Sequence, residues 1–90
     1  MAKCYVITFE VGTEDARTRL REMLVAYPTH CPITKWCWAV VTEQSAKQIR
    51  DSLKTAIAPS DRLFVVRSGT EAAWFNSFGQ SYNEWLKKYL

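Results

Sequence analysis

An α+β sandwich of order β-α-β-β-α-β is predicted by three features of this chain. Short apolar runs fall at Cys4 to Phe9, Cys37 to Val41 and Leu63 to Val66, two amphipathic helical stretches lie between them, and cap or breaker residues mark the seams. In the first run Tyr5, Ile7 and Phe9 alternate with Cys4, Val6 and Thr8, so both faces of the strand are largely apolar, as in a central strand. Gly12 and Thr13 follow. Thr13 reads as an N-cap with Glu14 and Asp15 in the first turn, where carboxylates favour the positive end of the helix dipole. Ala16, Leu20, Met23, Leu24 and Tyr27 then share one stripe, Arg17, Arg19 and Arg21 lie outside it, and Pro28 stops the helix.

The next segment accommodates a short strand at Cys31 to Thr34, a tight reversal near Lys35, and a longer strand from Trp36 to Val41. Ser45 with Gln48 forms a capping-box signature. Ala46, Ile49, Leu53, Ala56 and Ile57 repeat at helical spacing from there to Pro59. Asp61 to Arg67 supplies the last core strand, which Gly69 and Thr70 break. A helical turn is predicted over Thr70 to Phe78. Ser81 with Glu84 then reads as the start of a final helix whose Tyr82, Trp85, Leu86 and Tyr89 share a face.

Two strand-helix-strand halves with right-handed crossovers make a ferredoxin-like sandwich with a four-stranded antiparallel sheet and an added C-terminal helix. Residues 1–90 form a single domain, with 1–69 the core and 70–90 an aromatic-rich helical extension. Three of its strands are apolar on nearly every residue, so the sheet face turned away from the first two helices must also be covered. The C-terminal helix is expected to cover part of it and a second copy of the chain the rest, making a homodimer. Trp36, Trp38, Trp74 and Trp85 are the aromatic residues expected at these packing and interface surfaces.

Composition narrows the class. With 48% hydrophobic and 23% charged residues and only three glycines and three prolines, no disordered or low-complexity segment stands out. A chain of this length buries only roughly 60–65% of its unfolded surface, so a monomer would be only marginally stable. No run is long enough to span a membrane, and the start of the chain lacks the features of a leader, so a cytoplasmic protein with no membrane partner is expected. Cys4, Cys31 and Cys37 are odd in number and lack a CxxC pair, which suits reduced packing thiols. A zinc site of His30, Cys31 and Cys37 is the sharper alternative, although it falls short of the usual four ligands.

Several blocks resemble the SinR-like small proteins. They are Tyr5-Val6-Ile7-Thr8-Phe9-Glu10, Trp38-Ala39-Val40-Val41, Ser45-Ala46-Lys47-Gln48-Ile49-Arg50-Asp51 with Leu53, Asp61-Arg62-Leu63-Phe64-Val65-Val66-Arg67, and Glu71-Ala72-Ala73-Trp74 with Glu84-Trp85-Leu86. Those proteins look related to the dimeric small subunit of the CRISPR spacer-integration complex and to the VapD ribonuclease toxins. The resemblance implies a ferredoxin-like dimer of prokaryotic or phage origin. It also implies metal-assisted phosphodiester hydrolysis by an aspartate at the end of the first strand, a place held here by Glu10. The longer glutamate side chain displaces its oxygens from where an aspartate would put them.

Three functions follow. The leading one is a small homodimeric nucleic-acid-related or regulatory binding protein without robust catalysis and without a cofactor. A net charge of +3 permits phosphate contact, Arg17 and Arg21 align on the first helix, and Lys47, Arg50 and Lys54 line one edge of the second. Asp51 and Glu14 would partly neutralise both stripes. The second is a nuclease in which Glu10 is catalytic and holds magnesium or manganese. The third is a protein-interaction module from a mobile element that blocks a host nucleic-acid-processing complex. Trp36 and Trp38 are two apart and so share a strand face, where they either pack or stack on bases, but the glycine-rich aromatic motif of RNA-recognition sheets is absent.

Overall fold

The computed structural model describes residues 1–69 and 71–90. Its elements are β1 (Lys3–Glu10), α1 (Glu14–Val25), β2 (Thr29–Thr34), β3 (Cys37–Thr42), α2 (Ala46–Leu53) continued by a 3-10 turn at Lys54–Ala56, β4 (Arg62–Arg67) and α3 (Gln80–Tyr89). The strands form one antiparallel sheet in the order β2-β3-β1-β4, the ferredoxin-like arrangement with a C-terminal helix added. No helix among the described residues is long and apolar enough to cross a membrane.

Register shows how the strand pattern becomes a core. Ile7 pairs with Trp38 on one side and Val65 on the other, and Tyr5 pairs with Val40, so alternate residues of three strands converge on one face. Leu20 and Leu24 of α1, and Ile49 and Leu53 of α2 with Ala56 just after it, fill that face with almost no exposure. Both helix starts follow from their caps. The Thr13 hydroxyl accepts from the Ala16 N–H at 3.1 Å, and Ser45 makes both halves of its capping box with Gln48. Ser45→Ala is expected to cost about 1 kcal/mol and to lower the melting temperature by about 4–8 °C, a shift that calorimetry resolves.

The second helix ends earlier than its apolar spacing predicts. After Leu53 the backbone tightens into the 3-10 turn, and the Thr55 hydroxyl donates to the Ser52 carbonyl at 2.7 Å. Asp61 then fastens the entry to β4, its two carboxylate oxygens accepting from the Gly12 and Ala58 N–H groups at 3.0 and 2.9 Å.

The opposite sheet face is half covered. Helix α3 packs on β2 with Leu86 buried, and beneath it Cys31 and Ala39, paired in register, are sealed from solvent. The β4 side remains open: Phe64 is 63% and Val66 44% exposed. The apolar run in β4 is therefore packed against the core on its helix-facing side only, where Leu63 and Val65 are partly buried.

Two expectations for the C-terminal extension fail. Residues 71–79 form no helix, and Thr70, where the predicted turn begins, lies outside the described residues. Ser81 is not a cap, because α3 starts one residue earlier behind Gly79, whose φ of 152° is a conformation that glycine tolerates. A local polar cluster sets that start. The Ser77 hydroxyl and the Trp74 indole N–H both donate to Asn83 Oδ1, at 2.6 and 3.0 Å.

Candidate nucleic-acid interface

The end of the sheet where β1 and β2 finish carries a basic cleft floored by aromatic rings. Thr13 caps α1 directly after β1, and the four-residue spacing of Arg17 and Arg21 sets both on the helix side that overlooks β2. The reversal between β2 and β3 contributes Lys35, Phe9 and Trp38 form the floor, and Phe78 arrives from the segment before α3. The cleft encloses about 170 Å³. Sites that engulf a whole small molecule are commonly above about 300 Å³, so this one suits a phosphate and part of a base or sugar.

Its electrostatics favour anions. Arg17 is paired with Glu14 at 3.3 Å, whereas Arg21 and Lys35 make no ion pair among the described residues. Aromatic surface lies close to these cations. Trp36 is 37% exposed, meets Phe9 edge-on with centroids 6.0 Å apart, and has the Lys35 ammonium 5.3 Å from its ring centre. Phe78 is 57% exposed and is braced edge-on by Tyr82 at 6.1 Å. Cations that meet phosphates beside rings that can stack on bases are the elements of single-strand recognition.

The other sequence-derived candidates lie elsewhere. Lys47 and Arg50 of α2 and Lys54 of the 3-10 turn after it do not line the cleft. Arg50 binds Asp51 at 2.8 Å and Lys54 approaches the same carboxylate at 3.9 Å. The hydrogen bond from Arg50, reinforced by the charges of Arg50, Lys54 and Lys47, holds the Asp51 carboxyl below its ordinary value. Of this stripe only Lys47 has no ion-pair partner among the described residues.

Glu10 lies on the open sheet face, opposite Arg62, whose guanidinium donates to its carboxylate at 2.7 Å. No group of three or more His, Cys, Asp or Glu side chains is arranged to hold a metal ion among the described residues. His30 and Cys31 point to opposite faces of β2. His30 Nδ1–H donates to the Tyr27 carbonyl at 2.7 Å, while the Cys31 thiol sits under α3, and burial pushes its pKa up. Burial raises the Cys4 and Cys37 thiols as well.

Of the four tryptophans, Trp38 is buried in the core of its own chain and Trp36 is partly exposed beside the cleft. Trp74 and Trp85 are half-buried, the first bonded to Asn83 and the second 4.8 Å from Tyr89. Lys35, Phe9 and Phe78 join the cleft without having been singled out for it by sequence. The one local signal was the Lys35-Trp36 neighbour pair; Phe78 is too far along the chain for any spacing rule to place it there. No protein-family model matches this chain, and searches of curated proteins and of solved structures returned no match.

Proposed function

We propose that this protein binds single-stranded nucleic acid, as a homodimer, through the cleft between α1 and the β2–β3 reversal. The observation that carries this reading is the convergence of Arg17, Arg21 and Lys35 on a site walled by Phe78 and flanked by Trp36. The guanidinium and ammonium groups take phosphates, and the exposed rings take bases, which offer their faces only when unpaired. The resemblance of the chain to SinR-like proteins implies a nucleic-acid-related or regulatory role. A binding role asks nothing of Glu10 beyond its ion pair with Arg62.

Fluorescence anisotropy with labelled single-stranded and duplex oligonucleotides of one sequence tests this. Tighter binding to the single strand, weakening as salt rises, is expected; equal or tighter binding to the duplex would overturn it. A Lys47→Gln, Arg50→Gln, Lys54→Gln variant separates the cleft from α2. Asp51 already engages two of those three cations, so the triple variant should lower the slope of log K against log salt by no more than about 0.7, the contribution of one phosphate contact on a single strand.

A further inference from the structure

We infer that the free edge of β4 is the surface on which a second copy of this chain docks, joining two four-stranded sheets into one continuous sheet across a twofold axis at Val65. The inference rests on the homodimer of the proposed function and locates its interface, but it uses no residue of the cleft and does not depend on nucleic-acid binding.

Backbone polarity supports it. The Ser68 N–H donates to the Cys4 carbonyl at 2.8 Å, so by antiparallel alternation Val66, Phe64 and Arg62 turn their backbone groups toward β1. Leu63, Val65 and Arg67 turn theirs outward, where β4 has no neighbouring strand among the described residues. The two edges of the sheet differ in their protection. β2 carries Pro32, which has no N–H, shows a register shift between Pro32 and Thr34, and is packed by α3. β4 has no proline or bulge, and its middle is the uncharged run Leu63 to Val66.

The pattern of that edge is complementary to itself. A twofold axis at Val65 pairs Val65 with its own copy and Leu63 with Arg67 of the second copy, the residues whose backbone groups are free. On the open face the same register sets Phe64 against Val66 of the second copy, and Val66 against its Phe64. These are the close, non-hydrogen-bonded pairs of an antiparallel ladder, and they would cover the two most exposed apolar side chains of the strand. Charges agree with this register. Arg62 faces Ser68, no like charges stand opposite one another, and Arg67 falls diagonal to Asp61 of the second copy, within reach of a long side chain.

Sedimentation equilibrium over a concentration series, without nucleic acid, measures the association, and amide hydrogen exchange locates it. Dimerisation is expected, with the Val65 and Arg67 amides gaining protection as concentration rises. Phe64→Lys combined with Val66→Lys alters only exposed side chains and brings lysines face to face across the axis, so it should weaken the dimer about tenfold or more. A chain that stays monomeric, or a dimer in which those amides exchange as fast in the wild type as in dilute solution, would overturn the inference. So would a dimer of undiminished strength in a folded double variant. If that variant fails to fold, wild-type exchange decides alone.

Discussion

Replacing Arg21 and Lys35 together with glutamine is expected to weaken binding of a single-stranded oligonucleotide roughly 25-fold at 0.1 M salt and to flatten the slope of log K against log salt by about 1.4, at about 0.7 per phosphate contact. Both figures come from one quantity, the counterions that two cations release when they meet phosphates. Folding should be nearly untouched, within about 0.5 kcal/mol, because both side chains are exposed and neither makes an ion pair among the described residues. Anisotropy titrations at several salt concentrations, alongside thermal melts, measure both effects. A parallel Phe78→Ala variant removes a stacking surface and leaves the charge alone. It should cost affinity with the salt slope unchanged, since stacking on one ring is worth about 1–3 kcal/mol and releases no ions. Unchanged binding in both variants would place the site elsewhere.

Leu86→Asp should release α3 from the sheet. Leu86 is the one fully buried residue of that helix, and a carboxylate in its place has no partner to offset its desolvation. The loss expected is at least the 2–5 kcal/mol of a large-to-small core substitution. Cys31 is a built-in reporter, because its thiol is buried beneath α3 and burial holds its pKa up. Once α3 lifts, that thiol should titrate nearer the ordinary thiol range and react many times faster with a disulfide reagent at neutral pH. The helix-covered face, built from α1 and α2, should persist, so far-ultraviolet circular dichroism would fall by little more than the contribution of α3. If the Cys31 rate were unchanged in a folded variant, α3 would not be what shields that half of the sheet.

Much of this architecture was legible in the residues because its signals are local. Thr13 and Ser45 mark the two main helix starts through hydrogen bonds that close within three residues, and the stripes of Leu20 with Leu24 and Ile49 with Leu53 name the buried faces. The same logic misled at Ser81. A hydroxyl three residues before a glutamate is a weaker influence than the Ser77, Trp74 and Asn83 cluster together with a glycine at positive φ. The candidate site was half legible: Arg17 and Arg21 stand out by helical spacing. Nothing in the order of residues joined them to Lys35 or to Phe78, because those partners meet only when the sheet is assembled.

Alternation and helical periodicity therefore determined by themselves the four strands, the starts of α1 and α2, and that β1 and β3 are apolar on both faces. Only the tertiary structure decided what covers the second face and where the covering stops. Pairing register and the seat of α3 are set by contacts between residues far apart in sequence, so Cys31 and Ala39 are buried while Phe64 and Val66 remain in water, although Ala39, Phe64 and Val66 all sit in apolar runs. The cations followed the same rule. Their number was plain from composition, but whether each meets a carboxylate distant in sequence, as Arg62 does with Glu10, or makes no ion pair among the described residues, like Arg21 and Lys35, depends on which side chains folding brings within a few ångströms.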